Sequence, residues 1–562
     1  MPASVVPPPD PTPDNTPKPV SKGQALATAT GPPPQPAVPQ PAVPHPGALV
    51  APLHGPWREV SLFGHRWPGP GRVASPATVV ALLVAALLAA LSIPLDRAGV
   101  GWLITAVAGV AALIVARAAP HAGSSAAPKP LVQWRPAELT KARFGWSAAT
   151  VALLGVGTFR SAGWLYVLCL LTALLTGALA VVGGRSLRAM TVAALMAPFA
   201  GLRALPWIAR GIARARRGGG DGMRIAATVA VSVALLVVFG SLFASADAAF
   251  AELISSVVPD LDGATVARWI FVFVVAMGIL GGAAFLRAAP PDLSGLDGAG
   301  KRRVARLEWA IPLTLLVLLF AMFVAVQLTV LFGGSEHVLD TEGLTYAEYA
   351  RSGFWQLLVV TGLTLLVIAG AARWAPRETR ADQVLIRVIL GVLAALTLVI
   401  VASSLHRMNV YADTYGLTRL RVLVALCEAW LGVVFLLILI AGIRLKGLWL
   451  PRAAVAAGVL ALLALAGANP DRLIADRNIT RYEQLDRIDI YYLSNLSADS
   501  VPALDRLQNN ERNCVLTPIA ADLKSDPDDW RGWNLGREQA RDLLAKNPPT
   551  PSMDCPSSYR VP

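Results

Sequence analysis

The chain carries no apolar run through its first 76 residues, and from there to residue 468 it is built of little else. Eleven stretches with few or no charges follow one another: 77–93, 99–116, 144–159, 162–183, 224–243, 266–286, 309–332, 353–372, 384–404, 420–443 and 453–468. A helix crosses a hydrocarbon core of about 30 Å with about 20 apolar residues, so the pattern predicts eleven transmembrane helices. The third and eleventh are short.

The polar positions between these runs follow a rule of sign. With the N-terminus on the cytoplasmic side, the inner loops 117–143, 184–223, 287–308, 373–383 and 444–452 carry five, seven, five, three and three Lys or Arg residues. Outer loop 244–265 carries none, against Asp247, Glu252, Asp260 and Asp262, and loop 333–352 has only Arg351 against four acids. Basic residues in short loops stay on the cytoplasmic side. The expected fold class is all-α: a polytopic transmembrane helical bundle, N-terminus in and C-terminus out, with a small, mainly helical extracytoplasmic domain at its C-terminus.

Four regions follow. Residues 1–56 hold 18 of the 43 prolines and almost no large apolar side chain, which predicts a disordered cytoplasmic tail or a docking segment for a proline-recognising partner. Residues 57–76, with Trp57, Arg58, Arg66, Trp67 and Arg72, read as an interfacial lead-in. Residues 77–468 form the transmembrane domain and 469–562 the soluble one, with helices expected to start near Asn469, Ser497 and Asn534. No signal peptide precedes the tail, so the first span is expected to insert as an internal signal anchor. Within the second inner loop, Leu195–Arg217 mixes large apolar residues with arginines at helical spacing. It reads as a helix on the cytoplasmic leaflet, with Arg203, Arg210, Arg214, Arg216 and Arg217 either contacting anionic lipid or serving as an ordinary basic anchor.

Composition agrees with a membrane-embedded chain. It is 55% hydrophobic and 15% charged with mean hydropathy +0.54, where a soluble protein carries about 25% charged residues. The net charge of +13 lies mostly in the inner loops and calls for the lipid bilayer, not nucleic acid, as partner. The abundance of Arg over Lys, with much Ala, Gly and Pro, is the residue usage of GC-rich bacterial coding. The four cysteines fit no metal spacing. Cys514 and Cys555 share the C-terminal segment, where a disulfide is expected if that segment is outside, two buried thiols being the alternative.

No HExxH, GxSxG, P-loop, dinucleotide fingerprint or CxxC occurs, so no catalytic residue, cofactor or metal is assigned. Polar groups at membrane depth are costly and mark sites. Glu428 sits near the middle of the tenth run, Arg421 two turns before it, and Gln327 in the seventh. Such a carboxyl either relays protons or ions, or holds helices together. The outer ends of the runs add Asp247, then Tyr346, Glu348, Tyr349 and Arg351, then His406, Arg407, Tyr411, Asp413, Tyr415, Arg419 and Arg421. Many of these suit interfacial anchoring. Three outer loops repeat Ala followed by an acid (Ala246-Asp247, Ala347-Glu348 and Ala412-Asp413), which hints at hairpins converging on one outer polar site. Gly278 and Gly282 form a GxxxG, read as packing within the chain.

The stretches LEWAIPLTLLVLLFAMFVAVQLTVLFGG, GLTYAEYARSGFWQL, SLHRMNVYADTYGLTRLRV, NPDRLIADRNITR, YLSNLSADSVPAL and WRGWNLGREQAR together resemble an uncharacterised bacterial membrane family of the DUF4153/DUF4173 type, over roughly residues 223–545. The resemblance implies an integral membrane protein of unknown biochemical role and supplies no catalytic residues. Three functions are then expected, in this order: a non-catalytic envelope, signalling or structural component with an unknown protein partner; a transporter or lipid flippase with an outer-facing polar site; and a membrane transferase acting on a lipid-linked substrate. The last is placed lowest because the first outer loop, Pro94–Ala98, is too short for the long acidic loop such enzymes use.

Overall fold

The computed structural model describes residues 69–118, 136–183, 187–218, isolated positions between 228 and 252, then 263–290, 305–332, 354–376, 378–444, 447–550 and Cys555. The proline-rich tail, most of the lead-in, most of the run 224–243, the loop with Tyr346, Glu348, Tyr349 and Arg351, and the side chains of Arg216 and Arg217 lie outside these residues.

All the described elements are helical, as lipid requires: only a helix or a closed barrel bonds every backbone N–H and C=O without water. The apolar runs give α1 (Pro76–Ser92), α2 (Val100–Ala118), α3 (Pro136–Phe159), α4 (Gly163–Val181), α6 (Gly263–Ala288), α7 (Arg306–Phe332), α8 (Phe354–Trp374), α9 (Arg380–Tyr415), α10 (Arg419–Arg444) and α11 (Leu450–Ala468), with α5 (Leu187–Gly218) between α4 and α6. Among the described residues, α4 and α6 to α11 are the seven helices long and apolar enough to cross a membrane, and α1 and α2 are shorter apolar helices.

Two helices differ from the sequence reading. The ninth apolar run ends at 404, but α9 continues to Tyr415. It starts at a capping box, with the Thr379 side chain accepting from the Asp382 N–H and Asp382 returning to the Thr379 N–H. At the end of the apolar run Ser404 is buried, and beyond it Met408 keeps a packed face; the helix stops only at Gly416, whose φ of +83° no side chain adopts easily. Residues 405–415, including Ala412-Asp413, are therefore the last turns of a helix and not an outer loop.

The second difference is α5. Its amphipathic pattern predicts a helix on the cytoplasmic leaflet; the structure adds that one face is packed against α1 and α6. Ala200, Ala204, Trp207 and Ile208 are buried in one cluster with Phe285 of α6 and Leu82 of α1. The GxxxG of α6 receives it: a Cβ on Gly282 would stand 2.7 Å from the Gly201 nitrogen, and one on Gly201 would stand 2.9 Å from the Gly278 oxygen. The helix bends by 51° between Met190–Met196 and Pro198–Arg214, where proline lacks the N–H that would continue the ladder. Its other face leaves Leu195, Phe199, Leu202 and Leu205 exposed, as suits contact with lipid. The Arg203 guanidinium lies 5.9 Å from the Phe285 ring centre, Arg210 donates to the Pro206 carbonyl at 3.0 Å, and Arg214 is exposed.

After α11 a single residue, Asn469, leads into α12 (Pro470–Leu485), followed by α13 (Ile490–Ser494), a 3₁₀ turn at Ala498–Ser500, α14 (Val501–Leu504), α15 (Asn509–Ser525) and α16 (Leu535–Lys546). Asn469 and Asn534 cap α12 and α16 with their side-chain oxygens, as the sequence predicts, whereas Ser497 makes no such cap. These helices share one core with the bundle: Ile474, Leu493, Val501, Leu504, Val515 and Leu516 pack in the same cluster as Leu153 of α3, Leu165 and Cys169 of α4, and Leu465 of α11. A disulfide joins Cys514 and Cys555, with Cα atoms 5.6 Å apart.

Candidate functional site

Within the bundle, consecutive serines of α9 point to different neighbours. Ser403 donates to Gln327 Oε1 of α7 at 3.2 Å, and Arg407, one turn on, donates to the same oxygen at 2.7 Å. Ser404 donates to Glu428 Oε1 of α10 at 3.2 Å; Glu428 is fully buried, and its Oε2 has no hydrogen-bond partner. The two groups form a short polar layer across α7, α9 and α10. Arg421 points elsewhere: its guanidinium lies 4.2 Å from the Tyr411 ring centre and donates to the Gly416 carbonyl.

The other positions singled out at the outer helix ends separate. Tyr411 and Tyr415 touch with ring centres 4.9 Å apart and planes tilted by 53°, one turn from each other on α9. His406 and Asp413 are exposed on that helix. Asp247 is exposed and accepts from the Phe250 N–H at 3.1 Å. Tyr346, Glu348, Tyr349 and Arg351 lie outside the described residues. Arg419 alone leads into a larger network.

That network is the junction between bundle and C-terminal helices, and it is centred on acids the sequence reading did not select. Asp471, in the first turn of α12, is completely buried. It accepts from Arg419 Nε at 3.2 Å and Nη2 at 2.6 Å, from the Trp164 indole at 3.0 Å and from the Ser497 N–H at 2.9 Å. Burial by itself would push this carboxyl up; the Arg419 guanidinium, with the Trp164 and Ser497 donors, outweighs it and holds Asp471 below the usual carboxylate range. One side chain thus ties the start of α4, the start of α10 and the C-terminal helices together. Asn478 of α12 adds a second tie, accepting from the Leu417 N–H at 3.2 Å and donating to the Leu417 carbonyl at 2.8 Å. Gly416 lies so close to Asn478 that any side chain there would collide with it.

Asp499, only 3% exposed, occupies the 3₁₀ turn. Its Oδ2 accepts from the N–H groups of Ser161 and Ala162 at 2.8 and 3.1 Å, while Ser161 Oγ accepts from the Asp499 N–H at 3.0 Å. Oδ1 has no hydrogen-bond partner and faces the backbone of Gly536, where a Cβ could not fit. Burial pushes this carboxyl up, against the lowering effect of the two N–H groups and the nearby Arg160 charge. Beside it opens a cavity of about 280 Å³, lined among others by Arg160, Asn469, Arg472, Asp476 and Gln539.

A third acid, Asp528, fastens the first hairpin. It accepts from Arg97 at 3.0 Å, from Arg537 at 2.8 Å and from Arg541 at 2.8 Å, and these guanidiniums hold it below the usual range in spite of its burial. Around it, the Val100 N–H donates to the Trp533 carbonyl, Arg537 to the Ala98 carbonyl, and Asn534 to the Gly157 carbonyl, at 3.0, 2.9 and 2.7 Å. Nothing in a single sequence marks these acids, because each lies in a hydrophilic stretch like any surface carboxylate and at least one partner of each is more than 300 residues away. Among the described residues no group of His, Cys, Asp and Glu has the geometry of a metal site.

Residues 148–507 match the family described as "Domain of unknown function (DUF4153)". The match covers more than half of the chain, which belongs to this family. It begins within α3, earlier than the resemblance that starts near residue 223, and ends at 507, so Asp471, Asp499, Arg160, Trp164 and Arg419 fall inside it and the Asp528 clamp falls outside. No curated protein and no solved structure matches the chain.

Proposed function

We propose that this member of the DUF4153 family is a multi-pass protein of about eleven spans in a bacterial plasma membrane, with its N-terminus in the cytoplasm and its C-terminal helices outside. It serves there as a non-catalytic envelope component, the C-terminal helices forming a fixed cap that meets a protein partner. The observation that carries this reading is the buried Asp471, bonded at once to Arg419, Trp164 and Ser497. A cap locked in this way presents one fixed surface, and anything that binds it acts on the α3–α4 and α9–α10 hairpins. The loop charges support the orientation, and so does the Cys514–Cys555 bridge, since disulfides persist in oxidising compartments.

Transport is the second reading, favoured by the fully buried Glu428 with one oxygen unpartnered. Complementation of a deletion strain separates the two. A chain lacking 470–562 should fail while Glu428→Gln succeeds; failure of Glu428→Gln in a chain present at normal level favours transport. The orientation is tested by an impermeant thiol reagent on intact cells. Labelling of Cys514 and Cys555 is expected only after reduction, and labelling that requires permeabilised cells overturns the outside placement.

A further inference from the structure

The cavity beside Asp499 stands at a particular depth. Gly467 and Ala468, the last residues of the α11 span, form part of its wall, and Arg160 directly follows the last residue of α3. Its opposite wall belongs to the C-terminal helices, through Arg472, Asp476, Asp499 and Gln539. It therefore opens where spans end and water begins, the level of lipid headgroups.

Its polar groups are only partly used. Arg160 spends Nε and Nη2 on the Ala466 and Gly467 carbonyls, at 2.6 and 3.3 Å, leaving Nη1 for another acceptor. Arg472 is half exposed, and its one ion pair, to Asp476, is long at 3.8 Å, because Asp476 is engaged at 2.6 Å by Arg506. Two guanidiniums with spare donors line one cavity and suit an anion, and arginine forks match phosphate oxygens in particular. Asp499 has the complementary character: a carboxyl 97% buried whose Oδ1 stands against Gly536, itself part of the cavity wall, and accepts nothing within the protein. Gln539 and Asn469 add neutral amide groups.

We infer that this cavity binds a phosphate group bearing a hydroxyl or ammonium substituent, the phosphate on Arg160 and Arg472 and the substituent donating to Asp499. A phospholipid headgroup or a free phosphate monoester offers this chemistry. The inference does not depend on the envelope-component reading, because a transporter or transferase with this junction would carry the same site.

The test uses the full-length protein. It is placed in phosphatidylcholine nanodiscs containing phosphatidylglycerol or phosphatidylethanolamine, and retained lipids are counted by native mass spectrometry. In parallel, glycerol 3-phosphate and inorganic phosphate are titrated into detergent-solubilised protein by calorimetry. Retention of phosphatidylglycerol or phosphatidylethanolamine above phosphatidylcholine, which has phosphate but no donor, identifies a headgroup site. Binding of glycerol 3-phosphate more tightly than inorganic phosphate identifies a free monoester. In either case Arg472→Ala should weaken binding about tenfold or more, the loss of a charged hydrogen bond. Arg472 is exposed, so this variant folds even if Arg160→Gln, which frees the α11 carbonyls, does not. The inference is overturned if no probe binds preferentially, or if binding is unchanged in Arg472→Ala.

Discussion

Where α5 crosses α6, the contact is made by what is missing: Gly201, Gly278 and Gly282 carry no side chains, and the two backbones come together. Where the C-terminal helices meet the bundle, it is made by what is added: Asp471, Asp499 and Asp528 are buried and draw in arginines, an indole and backbone N–H groups from several helices. The difference follows the solvent. Inside lipid, apolar side chains gain nothing by leaving hydrocarbon, so close van der Waals approach holds helices together. At the membrane edge water competes for every polar group, and an ion pair specifies one geometry only once it is enclosed.

Removing the charge from the second contact should do the most damage. Asp471→Ala leaves Arg419, the Trp164 indole and the Ser497 N–H facing a void, a loss of about 3 to 5 kcal/mol. Limited proteolysis should then release residues 470–562 while the spans stay resistant; an intact, equally resistant chain would show that the acid does not fasten the cap. Opening the Cys514–Cys555 bridge by Cys514→Ser should cost about 2 to 4 kcal/mol. That loss should be seen as a lower unfolding temperature of the cap alone, and a matching drop in the spans would contradict the separation drawn here. Gly282→Ala puts a methyl group where the Gly201 backbone lies and should cost about 1 to 3 kcal/mol. Its readout is cross-linking between cysteines placed on α5 and α6, which should fall without any change in the proteolysis of the cap.

The smallest effect sharpens the comparison within the cap. Asp471 has its carboxyl lowered by folding, so its stabilisation is present above the ordinary value near 3.8 and is lost as pH falls through the lowered one. Asp499 is raised, so its contribution is favourable below 3.8 and is lost as pH rises through the raised value. At neutral pH the first acid stabilises and the second costs. Asp499→Asn should therefore raise the melting temperature at pH 7.5 by no more than about 2–4 °C, with the difference shrinking toward pH 4. Asp471→Asn should lower the melting temperature over the same range. If Asp499→Asn lowers it at pH 7.5 instead, the ionised carboxylate is a stabilising partner.

The spans were legible because lipid leaves a sequence no choice: a run such as Trp309–Phe332 has to satisfy its own backbone, and α7 covers it almost residue for residue. Legibility failed where helices are amphipathic. HRMNVYADTY carries enough charge to read as a loop, yet Met408 is buried beside Val424 and the helix runs on until Gly416. Leu195–Arg217 showed its amphipathicity, but a moment says only that one face seeks apolar surroundings; lipid and the α6 groove satisfy it equally. The junction was hidden for a different reason. Ser161 and Asp499 are 338 positions apart, and no local pattern distinguishes an acid that will be enclosed from one that stays in water.

The clamp on the first hairpin has a bearing on how the protein is made. Ala98 and Val100 find their hydrogen-bond partners in Arg537 and Trp533, more than 400 residues further along the chain. The α1–α2 hairpin must therefore wait, unfinished, until residues 533–537 have left the ribosome. Any chain that stops before Trp533 leaves that hairpin open, so a cell inspecting its newly made proteins could recognise the break at a site hundreds of residues upstream of it.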